Sequence, residues 1–120
     1  MSDYQLGVAE SRFAEIIWEK EPLSSGELVK LSEEKLGWKK STTYTVLKRL
    51  CEKGLFKNEK GEVSSLVSKD EFYSLQSEKF VKETFDGSLP AFFADYTKRK
   101  SLTAKEVKEI RRMIDDYKED

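Results

Sequence analysis

The feature that most constrains the fold is a series of three short segments with helical spacing of apolar residues, each closed by proline or glycine. The first segment spans residues 8–18 and ends ahead of Pro22. The second follows Ser24 or Ser25, either of which suits a helix N-cap, and ends at Gly37. These signals predict two short helices with a short connection on either side of the second.

The third segment places its apolar side chains on one helix face. The residues at spacings i, i+3, i+4 and i+7 are Thr43, Val46, Leu47 and Leu50. Ser41 or the residue before it can cap this helix, and Gly54 ends it. The next stretch, "LFKNEKGEVSSLV", has apolar pairs at both ends and a polar centre with Asn58 and Gly61, which predicts a hairpin. This order of elements is typical of a winged helix-turn-helix, whose third helix lies in the DNA major groove.

Helical patterns return beyond Val67. They predict one helix within "SKDEFYSLQSEKFVKETFDG", one that begins at Pro90, and one that opens with Thr103 and Glu106 in capping-box spacing. The predicted fold class is therefore mostly α with a small β-hairpin wing. We expect an N-terminal winged helix-turn-helix domain at residues 1–67 and a C-terminal helical dimerisation domain at residues 68–120.

Positive charge is concentrated on the third predicted helix and the hairpin. Residues 39–60 hold seven Lys and Arg residues against two Glu, a net charge of +5, although the whole chain carries −1. At about 100° per residue, a hydroxyl-rich face lies opposite the apolar one, with Arg49 at its edge. Cations neutralise phosphates, and hydroxyls reach base edges or phosphate oxygens. The residues expected to contact DNA are Lys40, Ser41, Thr42, Tyr44, Thr45, Lys48, Arg49, Lys57 and Lys60.

Two other interpretations of this face stay open. It could be ordinary solvated surface, but such a surface normally mixes Lys with Glu, and no acid lies between Lys39 and Arg49. The scaffold could instead bind a partner protein without binding DNA, because a fold does not fix a function. Trp38 and Cys51, beside and within this helix, are more simply explained as core residues.

Aromatic residues are crowded into the C-terminal part of the chain. Eight of the fourteen aromatics follow the hairpin, on helices too few and too short to enclose them alone. A homodimer with interlocked helices would bury them, since obligate homodimer interfaces resemble a domain core cut in half. The alternative is that these helices fold back on the first half. The residues expected to form the dimer interface are Phe72, Phe80, Phe85, Phe92, Phe93, Tyr96, Ile110 and Ile114.

The composition argues against several functional classes. The chain has no histidine and no glycine-rich phosphate loop, so we predict that it is not an enzyme. Its single cysteine allows neither an intramolecular disulfide nor a CxxC metal cluster, and we predict no metal and no cofactor. No apolar run approaches the roughly 20 residues of a membrane helix, and the N-terminus lacks a signal-peptide pattern. We therefore expect a cytoplasmic protein without membrane insertion.

Four segments match a known group of repressors: "AESRFAEIIW", "STTYTVLKRLCEKGL", "FVKETFDGS" and "SLTAKEVKEIRRMI". On these segments the chain resembles the penicillinase repressor family, the winged-helix repressors of β-lactamase and methicillin-resistance operons, which are related to copper-operon repressors. The resemblance implies a homodimeric repressor on a palindromic operator, with Thr42, Thr45 and Arg49 at the family's DNA-contacting positions. The chain differs in having Ser11 where an aromatic usually follows "AE", and in a shorter wing that lacks the usual tyrosines.

The resemblance also bears on how repression ends. Resistance-type repressors of the family are inactivated by cleavage at an Asn-Phe pair in the C-terminal region, after a membrane sensor binds antibiotic. Asp95 and Tyr96 align with that pair, so they are the candidate cleavage site for a regulatory protease. Copper-type members carry a C-terminal CxC pair that binds Cu(I). This chain lacks the pair, and copper sensing by that route is excluded.

Overall fold

The computed structural model describes residues 5–119 of the 120-residue chain. These residues form six helices and three short strands in the order α1 (Val8–Lys20), β1 (Leu23–Ser24), α2 (Ser25–Leu36), α3 (Lys40–Glu52), β2 (Phe56–Glu59), β3 (Glu62–Ser65), α4 (Lys69–Thr84), α5 (Leu89–Arg99) and α6 (Ala104–Asp116). The predicted fold class, mostly α with a small β-hairpin wing, is confirmed. The chain forms two compact units, the first ending at Ser77 and the second beginning at Glu78.

The first two helices end where local signals place them. α1 stops at Lys20, just ahead of Pro22. Ser24 caps α2, because its Oγ accepts a hydrogen bond from the backbone N–H of Glu27 at 3.1 Å. At the other end of α2, Gly37 adopts a φ of +69°, a left-handed conformation that glycine reaches without steric cost.

The start of α3 differs from the prediction. Lys39 is the N-cap and no side chain caps the helix, so the prediction that Ser41 or the residue before it caps α3 is wrong. The Lys39 carbonyl accepts hydrogen bonds from the backbone N–H and the Oγ1 of Thr43, at 3.0 and 3.2 Å. Thr43 is only 1% exposed. The helix therefore begins before Ser41, and its first turn packs Thr43 into the core.

The predicted hairpin is confirmed. β2 and β3 pair in antiparallel fashion, with Glu59 opposite Glu62 across a two-residue turn. The turn residues Lys60 and Gly61 have φ angles of +52° and +87°. Positive φ at both central residues is what a type I′ turn requires, and this turn matches the twist of the paired strands.

A further strand, β1, was not predicted. It pairs with β3 so that Leu23 lies opposite Val63, which gives the strand order β1-β3-β2. A two-residue strand is too short to show any periodicity of its own. It exists only because the link between α1 and α2 passes along the edge of the hairpin.

The core of the first unit draws apolar side chains from α1, α2, α3, the sheet and their connections. Among described residues, the apolar side chains exposed by 2% or less are Phe13, Ala14, Ile17, Leu28, Leu47, Leu50, Leu55, Phe56 and Val63, and the polar ones are Ser32 and Thr43. Three of the four residues predicted for the buried face of α3, Thr43, Leu47 and Leu50, are therefore among the most deeply buried. This packing fixes α3 against α1, α2 and the hairpin.

The start of α4 also belongs to the first unit. The ring of Phe72 lies 5.3 Å from that of Trp18 and is 3% exposed. Trp18 Nε1 in turn donates a hydrogen bond to the carbonyl of Val67 at 3.0 Å. Phe72 is thus a core residue of the first unit, a correction to its predicted place in a dimer interface, because Trp18 already encloses it. The unit accordingly runs to Ser77, beyond residue 67.

The second unit contains the end of α4 with α5 and α6, and all three predicted C-terminal helices are confirmed. α5 begins at Leu89, one residue before the predicted Pro90, and Thr103 and Glu106 form the predicted capping box at α6. Three aromatic rings, Phe80, Phe85 and Phe92, meet edge to face with centroids 5.5 to 6.0 Å apart. Neither α5 nor α6 contains a buried residue.

Candidate nucleic-acid interface

α3 has one buried face and one exposed face. The predicted apolar residues of this helix are at most 7% exposed. The exposed residues include every one predicted to contact DNA from this helix: Lys40, Ser41, Thr42, Tyr44, Thr45, Lys48 and Arg49. Because the buried face anchors the helix, the exposed face is held toward solvent in a fixed orientation.

Two hydroxyls on the exposed face are already engaged. Thr45 Oγ1 donates to the Ser41 carbonyl at 2.9 Å, which leaves its lone pairs to accept a hydrogen bond. The Tyr44 hydroxyl donates to Ser25 Oγ at 3.2 Å, and the Ser25 N–H donates to the Gly61 carbonyl at 2.8 Å. Ser25 therefore links α3, the start of α2 and the hairpin turn. Tyr44 joins structural elements as well as facing solvent.

The cations of α3 fall into two groups. Lys40 and Lys48 form no ion pair with any residue in the range 5–119. Arg49 pairs with α1, because its Nη1 donates to Glu10 Oε2 at 3.3 Å. Just past α3, Lys53 Nζ donates to the Gln5 carbonyl at 2.9 Å. The two lysines are thus available to an anion, whereas Arg49 already holds a carboxylate.

Glu10 stays ionised at neutral pH. Burial alone would raise the pKa of its carboxyl. Hydrogen bonds from the Gly7 N–H and from Arg49, together with the positive charges of Lys53 and Arg49, outweigh burial and lower this pKa below its usual value. The pair with Arg49 is therefore a charged one.

The hairpin adds two lysines, which differ in whether they form an ion pair. Lys57 Nζ lies 3.6 Å from Glu59 Oε1, so its charge is shared with a neighbouring acid. Lys60 is exposed at the turn and has no ion pair within the described part of the chain. Asn58 Oδ1 accepts a hydrogen bond from the Gly61 N–H at 3.1 Å, which braces the turn that carries Lys60.

Sequence reasoning did not identify Ser25 or Glu10 as residues of this site. Their partners Tyr44 and Arg49 lie 19 and 39 residues away along the chain. Periodicity reports only neighbours within one element, so it cannot reveal such pairs. The one local signal is the place of Glu10 in the first turn of α1, which marks a capping residue.

The two residues assigned to the core beside this helix are confirmed there. The ring of Trp38 lies 5.1 Å from that of Phe13. Cys51 is half-buried against the core, and burial, followed by the negative charge of Glu52, raises the pKa of its thiol. Neither side chain belongs to the exposed face of α3.

The residues predicted for the dimer interface and the cleavage site lie mainly on the second unit. Exposed among them are Phe80, Phe93, Tyr96 and Ile114, and half-buried are Phe85, Phe92 and Ile110. The peptide bond between Asp95 and Tyr96 lies inside α5, where Asp95 Oδ1 accepts a hydrogen bond from Lys98 Nζ at 3.2 Å. Cleavage there would require local opening of the helix.

Other kinds of site have little support among residues 5–119. A cavity of about 560 Å³ in the first unit has a mainly acidic lining of Glu15, Trp18, Glu19, Glu21, Ser68, Lys69 and Asp70, which does not suit a polyanion. Within residues 5–119, no group of three or more His, Cys, Asp or Glu side chains is placed to hold a metal ion. None of the described helices combines the length and apolar character needed to cross a membrane.

Comparison with known proteins gives a consistent result. Residues 6–116 match the family model described as penicillinase repressor. Methicillin resistance regulatory protein MecI of Staphylococcus aureus is 24% identical over 92% of this chain and 94% of that protein, and MecI of Mammaliicoccus sciuri is 23% identical with the same coverage. The penicillinase repressor of Staphylococcus aureus is 25% identical over 93% of this chain and 92% of that protein. The family comprises DNA-binding regulators, which confirms that the chain is not an enzyme. The chain belongs to the penicillinase repressor family.

Proposed function

We propose that the chain is a homodimeric transcriptional repressor that binds a palindromic DNA operator, with α3 in the major groove and the hairpin beside it on the backbone. The observation that carries this proposal is the exposed face of α3. It combines hydroxyls with Lys40 and Lys48, which form no ion pair among residues 5–119, and it has no acid between residues 39 and 49. Duplex DNA needs both kinds of group, cations for its phosphates and hydrogen-bonding side chains for its base edges.

The names of the relatives support a proposal for the kind of operon that is regulated. Those proteins are named for penicillinase and for methicillin resistance. We therefore assign to this chain the control of an antibiotic-resistance or stress operon in the cytoplasm, where the repressor blocks access to the promoter. Release by a regulatory protease would take place between Asp95 and Tyr96 and would separate the end of α5, together with α6, from the rest of the chain.

The second unit supports the homodimer. Phe93 is 44% exposed, Leu89 63% and Ile114 67%, in a unit whose last two helices contain no fully buried residue. Apolar exposure on this scale marks an interaction surface in a soluble protein. A twofold dimer would bury it and would set two copies of α3 about one DNA turn apart, as an inverted repeat requires.

DNA binding is tested by selecting duplexes from a randomised pool and measuring fluorescence anisotropy across a range of salt concentrations. We expect tight binding that weakens steeply with salt, because lysine–phosphate contacts release counterions. Lys48→Ala should weaken binding to every duplex and reduce the salt slope by about 1 per subunit. The matched control is Lys108→Ala, which removes an exposed lysine from α6. Absent or salt-independent binding, or an equal effect of the control, contradicts the proposal.

Dimerisation is tested by sedimentation equilibrium of the full chain. We expect a dimer, and we expect Phe93→Asp to shift it to monomer, because a carboxylate buried without a partner opposes association. Val8→Asp is the control, since Val8 is an exposed apolar residue on α1, 83% accessible, where an acid suits the helix N-terminus. A parent chain that is monomeric at micromolar concentration, or a Phe93→Asp variant that stays dimeric, rules out this interface.

A further inference from the structure

The ion pair between α1 and α3 assigns a role to a residue outside the DNA-facing surface. We propose that Glu10 is a positioning residue that holds the Arg49 guanidinium in the orientation in which it contacts DNA. This inference rests on the proposed function. It differs from the prediction for Arg49 alone, because it makes the contact depend on a carboxylate 39 residues away.

Glu10 is itself held firmly. Its Oε1 accepts a hydrogen bond from the Gly7 N–H at 3.2 Å, and its Oε2 accepts from Arg49 Nη1 at 3.3 Å. The Glu10 side chain is only 19% exposed. One turn further along α1, Phe13 is fully buried, so the start of the helix is anchored in the core. The carboxylate therefore has a fixed position relative to α3.

Arg49 has further N–H donors besides the one that binds Glu10. Its side chain is 52% exposed, and only Nη1 has a hydrogen-bond partner within the described part of the chain. A guanidinium carries several N–H groups in a rigid planar fork, so the remaining ones can still donate to a phosphate or to the acceptor edge of guanine. Arg49 can thus hold Glu10 and DNA at the same time.

Pre-ordering of Arg49 has an energetic consequence. A free arginine side chain has several rotatable bonds, and fixing them on binding costs conformational entropy. The pair with Glu10 restricts them before DNA arrives. Lys53, which donates to the Gln5 carbonyl, adds a second tie between the end of α3 and the segment that leads into α1. The same edge of α3 is thereby held at two points.

Glu10 could instead compete with DNA for Arg49. That role predicts the opposite change in DNA affinity when the charge of Glu10 is removed. A carboxylate close to DNA repels phosphate, and one that occupies an arginine competes with phosphate for it. If competition dominated, removal of the negative charge would strengthen DNA binding. If positioning dominates, the same change weakens binding despite the lost repulsion. The direction of the effect therefore separates the two roles.

The experiment compares the full-length parent with Glu10→Gln. Gln can still accept the hydrogen bond from Gly7, so the cap of α1 is kept while the charged partner of Arg49 is removed. Glu19→Gln is the control with the same change of charge. Glu19 lies nine residues further along α1, about 13 Å away and on the opposite side of the helix. Thermal melting followed by circular dichroism checks that all variants are folded.

The probe is a fluorescein-labelled duplex of about 30 base pairs, long enough for two half-sites one helical turn apart, selected by the parent from a random pool. A scrambled duplex of equal composition reports non-specific binding. We expect Glu10→Gln to bind the selected duplex about five-fold more weakly and the scrambled duplex almost unchanged, because the lost order affects a specific contact. Glu19→Gln should bind both like the parent or slightly more tightly.

Variants at Arg49 complete the test. Arg49→Ala should weaken specific binding about ten-fold, and the Glu10→Gln/Arg49→Ala double variant should equal Arg49→Ala, because Glu10 acts only through Arg49. Arg49→Lys, which keeps the charge but loses the fork, should weaken binding to the selected duplex alone. If Glu10→Gln does not fold, Glu10→Asp takes its place, because the shorter side chain withdraws the carboxylate from Arg49 and should weaken specific binding in the same way. Equal or tighter binding by Glu10→Gln, or additive single effects, overturns the inference. A parent that selects no duplex overturns the proposed function as well.

Discussion

At the residue scale, Glu15 fastens the start of α4 to α1. Its carboxylate accepts hydrogen bonds from Lys69 Nζ at 2.7 Å and from the Tyr73 hydroxyl at 2.6 Å. The hydrogen bond from Lys69, followed by that from Tyr73, lowers the pKa of Glu15 below its usual value of 4.5. The same contact raises the pKa of Tyr73. Ionised Glu15 therefore stabilises the folded first unit.

This contact predicts a pH dependence of stability. Because the folded state lowers the pKa of Glu15, its contribution is complete above the unfolded pKa and is lost as pH falls through the folded one. Glu15→Gln should be less stable than the parent in urea at neutral pH, and the difference should shrink below pH of about 4. Glu19→Gln, whose carboxylate forms an ion pair within residues 5–119 with Lys20 alone, at 3.9 Å, should change stability much less than Glu15→Gln at every pH. A difference that is constant with pH contradicts the assignment.

At the element scale, the hairpin turn depends on the backbone conformation of Gly61 as well as on the hydrogen bond from its N–H to Asn58 Oδ1. Gly61 has a φ of +87°, and an added Cβ would meet nothing closer than Ser25 Oγ at 3.9 Å. Gly61→Ala should therefore destabilise the first unit by about 1–2 kcal/mol through the left-handed conformation alone. Gly26→Ala is the control, because Gly26 is helical and alanine should stabilise α2 by up to about 1 kcal/mol. Urea unfolding measures both, and the same sign for the two variants would show the turn is not decisive.

At the scale of the whole molecule, the first unit includes the first turns of α4. A chain that ends at Ser77 should therefore unfold cooperatively on heating, with its core intact. A chain that ends at Val67 loses the buried ring of Phe72 and uncovers Trp18, at a cost of about 1.5–3 kcal/mol for the phenylalanine alone. Circular dichroism melting of both fragments tests this expectation. Equal melting temperatures would show that α4 contributes nothing to the first unit.

The sequence predicted the part of the candidate site that depends on α3 alone. Spacing alone separated the buried Leu47 and Leu50 from the exposed Lys48, because both faces belong to the same 3.6-residue period. It could not tell that Arg49 is paired while Lys48 is not, since that depends on where α1 lies. Spacing also assigned Tyr44 to DNA contact alone, although the Tyr44 hydroxyl donates a hydrogen bond to Ser25 Oγ.

The sequence by itself determined the helices, the hairpin and the two faces of α3. Their signals act within a few residues, as between Thr103 and Glu106 at the start of α6. Tertiary structure alone decided the pairing of β1, the burial of Phe72 and the contact between Glu10 and Arg49. Each of these joins segments that are distant along the chain. Such contacts form only when the packed core brings those segments together. A pattern within a few residues therefore cannot predict them.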